Sequence, residues 1–273
     1  MIGFDVQTTT GALKQLQRQQ TGLSPSETAT LDKLAADRGK GWTTLGVDDR
    51  TALRAALRRI AAQHGPGGVG SKANRTALAA KSLLARFDMW ETSNVSDLAD
   101  TRDSAMARMV LDILAVEPRS RAALWAHLAH LAREYSVDAG TMGGHLARAL
   151  GDSYRAYALL ALEGSARAWD RKQEIGVIAR PLQAVPAHSL EAVLARRSAG
   201  ASISYWTFAR ATGEFARWLK GMHALRTFGS AFMGPLEIEY WNLRSFDGAI
   251  LFQAVSPTEP TPTGERRAKP TQP

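Results

Sequence analysis

Two histidines three residues apart, His127 and His130, are the side chains of this sequence best placed to do chemistry. They follow an apolar run, Ala122–Ala126, whose composition favours a β-strand. Ligands of α/β proteins bind beyond the carboxyl ends of strands, and histidine is the usual general base near neutral pH. The pattern therefore indicates a hydrolase-like site. The alternative is two histidines that are hydrogen-bonded for structural reasons.

A metal site is weakly supported by the same pair. The chain has six histidines and no cysteine, and no third ligand stands at a suitable spacing. Zinc sites need three or four such ligands, so we expect no metal. The absence of cysteine also excludes disulfides and a cysteine nucleophile.

Other residues could join the site. Glu163 ends an apolar run and is either a solvent carboxylate or part of the crevice that contains His127. His145 lies near a predicted helix start, where the helix dipole favours a neutral imidazole, although a simple helix-face residue is the more common case. No Gly-x-Ser-x-Gly elbow occurs. The glycine-rich segment Gly65–Lys72 has its Ser and Lys in the wrong order for a phosphate loop and indicates a linker.

The elements that must position these side chains change along the chain. Residues 11 to about 116 carry helical periodicity, which includes a capping box at Ser24 and Glu27 and a helix from about Val95 to Val116. After Pro118, short apolar runs alternate with helices, which predicts an α/β fold with a mostly parallel central sheet. The strand candidates are Ala122–Ala126, Tyr154–Leu162, Ile175–Ile178 and Gly248–Val255. The helix candidates here are Thr141–Leu150, Ser189–Arg197 and Gly213–His223.

Both ends of the sequence carry expectations of their own. Ile2–Gln7 has the pattern of the end of a β-strand, which suggests an ancestor with a longer N-terminal part. The segment from Thr258 onward is rich in Pro, Thr and charged residues and is expected to be disordered.

The charge and hydropathy of the chain limit the classes of partner that it is expected to bind. The 273 residues carry a net charge of +8, but the arginines are spread along helical segments, which indicates a solvated basic surface and no nucleic-acid partner. No apolar run approaches the roughly 18 residues of a membrane span, so no membrane partner is expected. The first residues do not have the pattern of a signal peptide, which makes the cytoplasm the default location.

The order of several short segments resembles the C-terminal part of the erythromycin esterase family, over about residues 2 to 257. The segments that carry the resemblance are Gly3–Gln7, Arg102–Ala107, Leu124–His130, Met142–Leu146, Leu150–Ala156, Glu163–Ala168 and Phe246–Ile250.

This resemblance implies one α/β domain over residues 1–257, with a helical insertion at about residues 11–97 that helps to form the cleft. It implies hydrolysis of the lactone ester of macrolides, in which a histidine activates water without a metal or cofactor. The family's His-Asn-x-His motif maps onto His127 and His130, with Leu128 in place of Asn. Arg102, His145 and Glu163 would be the surrounding substrate-binding residues.

One departure from the family pattern is larger. The principal Gly-Glu-x-x-His-Gly segment of the family occurs nowhere in this sequence. We therefore expect an impaired esterase in which His127 and His130 have supporting roles. One alternative is a binding or scaffold remnant without catalytic activity. The other is a split protein, in which a separate chain supplies the segment.

Overall fold

The computed structural model describes residues 9–19, 22–36, 40–63, 65, 68, 70–92, 95–118, 121–134, 140–170, 176–227, 231–232 and 237–259. The chain divides into two compact units, residues 1–156 and 157–273. The strand end expected at Ile2–Gln7 and the tail from residue 260 lie outside the described residues. The expected boundaries of one family domain stay a prediction.

The first unit is helical in its described part. Its helices are α1 (Thr9–Gln19), α2 (Pro25–Ala36), α3 (Val47–Ala61), α4 (Lys72–Glu91), α5 (Val95–Val116), α6 (Leu128–Leu131) and α7 (Met142–Leu150), with short 3₁₀ turns at Lys40–Thr44 and Gly151–Ser153.

Local sequence signals explain where these helices begin. The backbone N–H of Ser24 donates to Glu27 Oε2 at 2.7 Å, and Glu27 N–H donates to Ser24 Oγ at 3.3 Å, which confirms the expected capping box before α2. The helices α1 to α4 enclose an apolar core in which Trp42 and Phe87 stack with ring centroids 3.5 Å apart. The helix expected at Val95–Val116 is confirmed as α5.

The strand expected at Ala122–Ala126 is wrong. Residues 121–127 form no regular element. His127 is the N-cap of the short helix α6, and His130 lies within that helix. Trp125 is 79% exposed. A strand needs a neighbour for its backbone groups and a core for its apolar side chains. Most apolar side chains of this run are exposed to solvent, and the run joins neither sheet formed by the described residues.

The second unit is built on β-structure. Its strands are β1 (Tyr157–Asp170), β2 (Gly176–Pro181), β3 (Ile203–Thr207), β4 (Met222–Arg226), β5 (Ala231–Phe232), β6 (Ile238–Asn242) and β7 (Gly248–Val255); its α-helices are α8 (Leu190–Arg197) and α9 (Gly213–Trp218). Two 3₁₀ turns lie at Phe208–Arg210 and Leu243–Ser245.

The main sheet has the order β2-β1-β7-β3, with β5 also paired to β1. The α/β class is therefore confirmed, and the sheet is mixed: β1 runs parallel to β7 and β5, whereas β2 and β3 are antiparallel to their neighbours. Strand β1 pairs with β7 as far as Gly164 and with β2 from Ser165 onward. Helix α8 packs against β1, β7 and β4, and β4 and β6 form a separate antiparallel pair.

Some of the strands and helices expected in this unit are confirmed, and others have different bounds. Strand β7 has the expected bounds, and β1 runs eight residues beyond the expected end at Leu162. Helix α9 ends at Trp218, because the chain turns at Gly221 and continues as β4, which contains His223. Strands β3 to β6 had no counterpart in the sequence expectations.

Candidate active site around His130

The arrangement around His130 brings together three helices of the first unit. Helix α5 supplies the adjacent residues Arg102 and Asp103, and α6 supplies His130. His130 Nδ1 lies 2.8 Å from Asp103 Oδ1 and 3.0 Å from Asp103 Oδ2. Asp103 is only 6% exposed. A buried carboxylate of this kind fixes the orientation of the imidazole and favours a proton on the ring nitrogen that faces it.

The other ring nitrogen of His130 faces a cation. Arg102 Nη1 lies 3.1 Å from His130 Nε2. A guanidinium can only donate hydrogen bonds, so His130 Nε2 accepts and the neutral ring carries its proton on Nδ1. The three side chains thus form one chain of hydrogen bonds, in which Asp103 orients His130 and His130 orients Arg102.

The carboxylate of Asp103 is also held by helix α7. The backbone N–H of Met142, the first residue of α7, donates to Asp103 Oδ2 at 2.9 Å. Helix N-termini carry unsatisfied N–H groups and the positive end of the helix dipole, and both stabilise a nearby anion. Asp103 therefore has partners on both oxygens.

Glycines in the first turn of α7 and its N-cap residue Thr141 allow the start of this helix to lie close to Asp103 and to the backbone after α6. Thr141 Oγ1 accepts from Gly144 N–H at 2.8 Å and donates to the carbonyl of Ala132 at 2.6 Å. A Cβ on Gly143 would lie 2.1 Å from the carbonyl oxygen of Leu131, so only glycine fits there. The hydroxyl of Tyr154 donates to the same carbonyl at 2.6 Å. These contacts fix the backbone that follows α6.

His127 has a different environment from His130. Its Nδ1 accepts the backbone N–H of Ala129 at 3.3 Å and thereby caps α6. This bond uses the Nδ1 lone pair, so a neutral ring carries its proton on Nε2. The His127 and His130 rings are 6.4 Å apart, nearly perpendicular. The sequence expectation gave both histidines one role, whereas their hydrogen-bond partners favour opposite neutral tautomers.

Of the other expected site residues, Arg102 is brought to His130, His145 has a partner on its own helix, and Glu163 belongs to the other unit. His145 is the fourth residue of α7, and its Nδ1 is bound to Arg148 Nη2 on the same helix at 2.9 Å. Glu163 belongs to the second unit, where it is an exposed residue of β1 just before the bend at Gly164.

Asp103 was missed as a candidate site residue. It lies 27 positions from His130, and no local spacing rule connects the two. The available signal was its place beside Arg102 in one of the segments that carry the family resemblance.

The described residues contain no group of three or more His, Asp or Glu side chains placed to hold a metal ion. Across the same residues, every helix falls short of the length or apolarity that a membrane crossing requires.

The fold and this His–Asp–Arg cluster define an α/β protein with a histidine-centred candidate site. The erythromycin esterase family model matches residues 1–255, and the chain belongs to this family. No match to the sequence was found among curated proteins.

Solved structures show the same fold at low sequence identity. The chain matches a succinoglycan biosynthesis protein with a TM-score of 0.73 at 13% identity, covering 94% of this chain and 64% of that one. A Bacillus cereus protein matches with a TM-score of 0.72 at 16% identity, covering 93% and 66%. A mutant of the erythromycin esterase EreC in its open conformation matches with a TM-score of 0.53 at 16% identity, covering 90% and 66%. The chain thus spans about two thirds of the length of these relatives.

Proposed function

We propose that the chain carries part of a carboxylic ester hydrolase site, in which Arg102 stabilises the negative charge that develops on the carbonyl oxygen of a macrolide lactone. The observation that carries this proposal is the ordered chain of contacts from Asp103 through His130 to Arg102. Family membership supports the reaction class. The neighbouring structures support the fold alone.

Ester hydrolysis has two separate requirements. A water molecule must lose a proton as it attacks the carbonyl carbon, and the carbonyl oxygen must be stabilised as it gains negative charge. His130 is poorly placed for the first, because its Nε2 lone pair already accepts from Arg102. Arg102 suits the second, since its guanidinium is a permanent cation with several N–H donors.

The roles of the remaining residues follow from their partners. Asp103 and His130 are positioning residues, because they act on the substrate only through the guanidinium of Arg102. His127, with its proton on Nε2 and its ring 6.4 Å from that of His130, is proposed as a second hydrogen-bond donor to the substrate. This arrangement supports a division of labour in which a further group activates water. Accordingly, we expect little or no macrolactone opening by this chain alone.

The test measures binding and turnover separately. Erythromycin binding to the purified chain is followed by calorimetry, and lactone opening is followed by mass spectrometry as the gain of one water. We expect binding that Arg102→Ala weakens about tenfold, or about 1.4 kcal/mol, because the guanidinium also donates to the neutral lactone carbonyl before charge develops. His188→Ala, an exposed histidine of the second unit, is the control and should leave binding unchanged.

Three outcomes would contradict the proposal. Lactone opening by the wild-type chain that His127→Ala abolishes would make His127 catalytic and overturn the supporting roles. Binding that Arg102→Ala leaves intact would remove the arginine from the site. Absence of erythromycin binding would exclude the macrolide as the ligand of this site.

A further inference from the structure

Helices α8 and α9 of the second unit border an open cavity of about 370 Å³. All of its lining residues belong to that unit, so the cavity is separate from the cluster around His130. The lining combines cationic, aromatic and acidic side chains in the residues Val193, Arg196, Arg197, Glu214, Phe215 and Trp218. It is called the α8–α9 cavity below.

Two aromatic rings of α9 form one wall of this cavity. Phe215 and Trp218 lie nearly parallel, with ring centroids 5.9 Å apart and an interplanar angle of 17°. His223 supports the Trp218 ring, because the centroids of these two rings are 3.6 Å apart and His223 Nε2 donates to the carbonyl of Trp218. Phe215 and Trp218 are only partly buried. A wall of fixed aromatic rings is a stacking surface for a planar ligand.

Two neighbouring arginines of α8 supply the positive charge of the cavity. Arg196 Nη1 donates to the carbonyl of Ala187 at 2.9 Å, and the guanidinium of Arg197 lies 4.7 Å from the ring centroid of Phe215. No carboxylate of the described residues forms an ion pair with either arginine. Guanidinium groups bind phosphate through paired N–H donors, and stacking on an aromatic ring holds that fork in place. The two arginines are therefore suited to a phosphate group beside the aromatic wall.

The acidic residue of the lining distinguishes this cavity from a simple anion site. Glu214 lies exposed in the first turn of α9 and forms no ion pair with the described residues. A carboxylate repels a free anion but accepts hydrogen bonds from hydroxyl groups, as acidic residues do with the ribose in dinucleotide-binding folds. Small-molecule sites occupy about 300 to 1,000 Å³, so the volume suits a mononucleotide.

We propose that the α8–α9 cavity binds a nucleoside monophosphate, with its base stacked on the aromatic wall, its ribose hydroxyls bound to Glu214 and its phosphate bound to the two arginines. This class of ligand uses all three kinds of side chain in the lining. A phosphate ion alone leaves the aromatic wall without a contact and is repelled by Glu214. An aromatic ring alone leaves the two arginines without an anion. The proposal does not depend on the proposed esterase function.

Calorimetry on the full chain with adenosine monophosphate (AMP), adenosine and inorganic phosphate tests this assignment. We expect AMP to bind at least tenfold more tightly than adenosine or phosphate, since only AMP contacts the aromatic wall and the arginines together. Absence of AMP binding at millimolar concentration would overturn the proposal. Phosphate or adenosine that binds as tightly as AMP would overturn it as well, because one half of the site would then have no role.

Charge variants test the phosphate contact. Arg197→Ala should weaken AMP binding about tenfold and adenosine binding less than twofold. Arg244→Ala removes the same charge from another exposed position of the second unit and should change neither. Equal losses of AMP affinity in the two variants would indicate a general attraction to a basic chain and overturn the proposal.

Aromatic variants test the stacking contact. Trp218→Ala should weaken the binding of AMP and of adenosine at least fivefold, because aromatic rings stack with any base. Trp218→Phe keeps an aromatic ring and should restore most of that affinity, which separates stacking from a loss of folding. Unchanged AMP affinity in a Trp218→Ala variant that still unfolds cooperatively in urea would contradict the assignment.

Glu214 allows a test at an exposed position that does not threaten the fold. The wild-type chain should bind AMP at least threefold more tightly than its dideoxyribose analogue, and Glu214→Ala should bind the two alike. An equal preference for AMP in both proteins would remove the ribose contact and with it the nucleotide assignment.

Discussion

Two buried carboxylates, one in each unit, show how differently the same group can be used at the start of a helix. Asp103 accepts hydrogen bonds on both oxygens, from His130 and from the first N–H of α7. Glu191 lies in the first turn of α8 and is fully buried. Its Oε1 accepts the backbone N–H of Arg226 at 2.7 Å, and its Oε2 has no hydrogen-bond partner among the described residues.

This difference separates Asp103, a carboxylate that orients the residues of a site, from Glu191, a carboxyl group whose pKa is shifted by burial. A buried carboxylate whose two oxygens both accept hydrogen bonds is satisfied there and can hold an imidazole in one orientation. Burial raises the pKa of Glu191 above its ordinary value, in spite of the hydrogen bond from Arg226. In the first unit, hydrogen bonds hold Asp103 in place so that it orients His130. In the second unit, burial makes the carboxyl group of Glu191 favour its neutral form.

Arg226, which packs with Glu191, shows how the second unit uses a buried cation. Its guanidinium donates to the carbonyl of Ala161 at 2.7 Å and to that of Gln183. These contacts join β1, just before Glu163, to the loop that follows β2. Burial lowers the pKa of Arg226, while Glu191 opposes that change. The pair is therefore part of the packing of the sheet.

The largest effect on this comparison is expected from Asp103→Asn. Asn has only one acceptor oxygen, so its amide nitrogen would face either the proton on His130 Nδ1 or the N–H of Met142, and both of these are donors. We expect a loss of about 3 kcal/mol in the free energy of unfolding, because hydrogen bonds to charged groups contribute about 1.5 to 3 kcal/mol each. Urea unfolding measures the loss, and ¹⁵N NMR of His130 reports the tautomer.

Asp112→Asn is the matched control on the same helix. Asp112 pairs with Lys81 at 2.7 Å, and both side chains are partly exposed. A pair of this kind contributes less than about 1 kcal/mol. Equal losses for the two variants would show that Asp103 is an ordinary ion-pair residue.

A smaller, pH-dependent effect is expected from Glu191→Gln. Since the folded-state pKa of Glu191 is raised, its favourable contribution is present below the unfolded pKa of about 4.3 and is lost as pH rises through the folded value. Glutamine resembles the neutral form. The stability of Glu191→Gln relative to wild type should therefore increase with pH across that window, by about 1.4 kcal/mol for each unit of raised pKa.

Thermal or urea unfolding at a series of pH values between 4 and 8 measures this difference. Asp152→Asn, an exposed carboxylate in the first unit, provides the control and should show no such trend. A stability difference that does not depend on pH would mean that Glu191 titrates alike in the folded and unfolded chain.

The smallest effect is the difference between two helix caps. Ser189 Oγ accepts from Ala192 N–H and caps α8, whereas Thr141 caps α7 and also donates to Ala132. Loss of a cap costs about 1 kcal/mol, and loss of a second buried hydrogen bond adds about another 1 kcal/mol. Thr141→Ala should thus destabilise by about 1 kcal/mol more than Ser189→Ala. Equal midpoint shifts in urea would contradict the second role of Thr141.

Local signals in the sequence anticipated some of the elements and missed the contacts between them. The capping box at Ser24, helix α5 and strand β7 follow from patterns within a few residues. The pairing of Asp103 with His130 depends on the packing of α5 against α7, which no local pattern encodes. The apolar run at Ala122–Ala126 misled because a strand pattern does not say whether a neighbouring strand exists.

The parallel pairing of β1 and β7 also determines the order in which the two units can fold during synthesis. Tyr157 pairs with Gly248, so the main sheet cannot close until synthesis has passed Val255. The core of α1 to α4 needs only the first 91 residues. Pairings between distant residues form slowly, and domains can fold as they leave the ribosome. The helical core can therefore form during translation, while the sheet assembles only near its end.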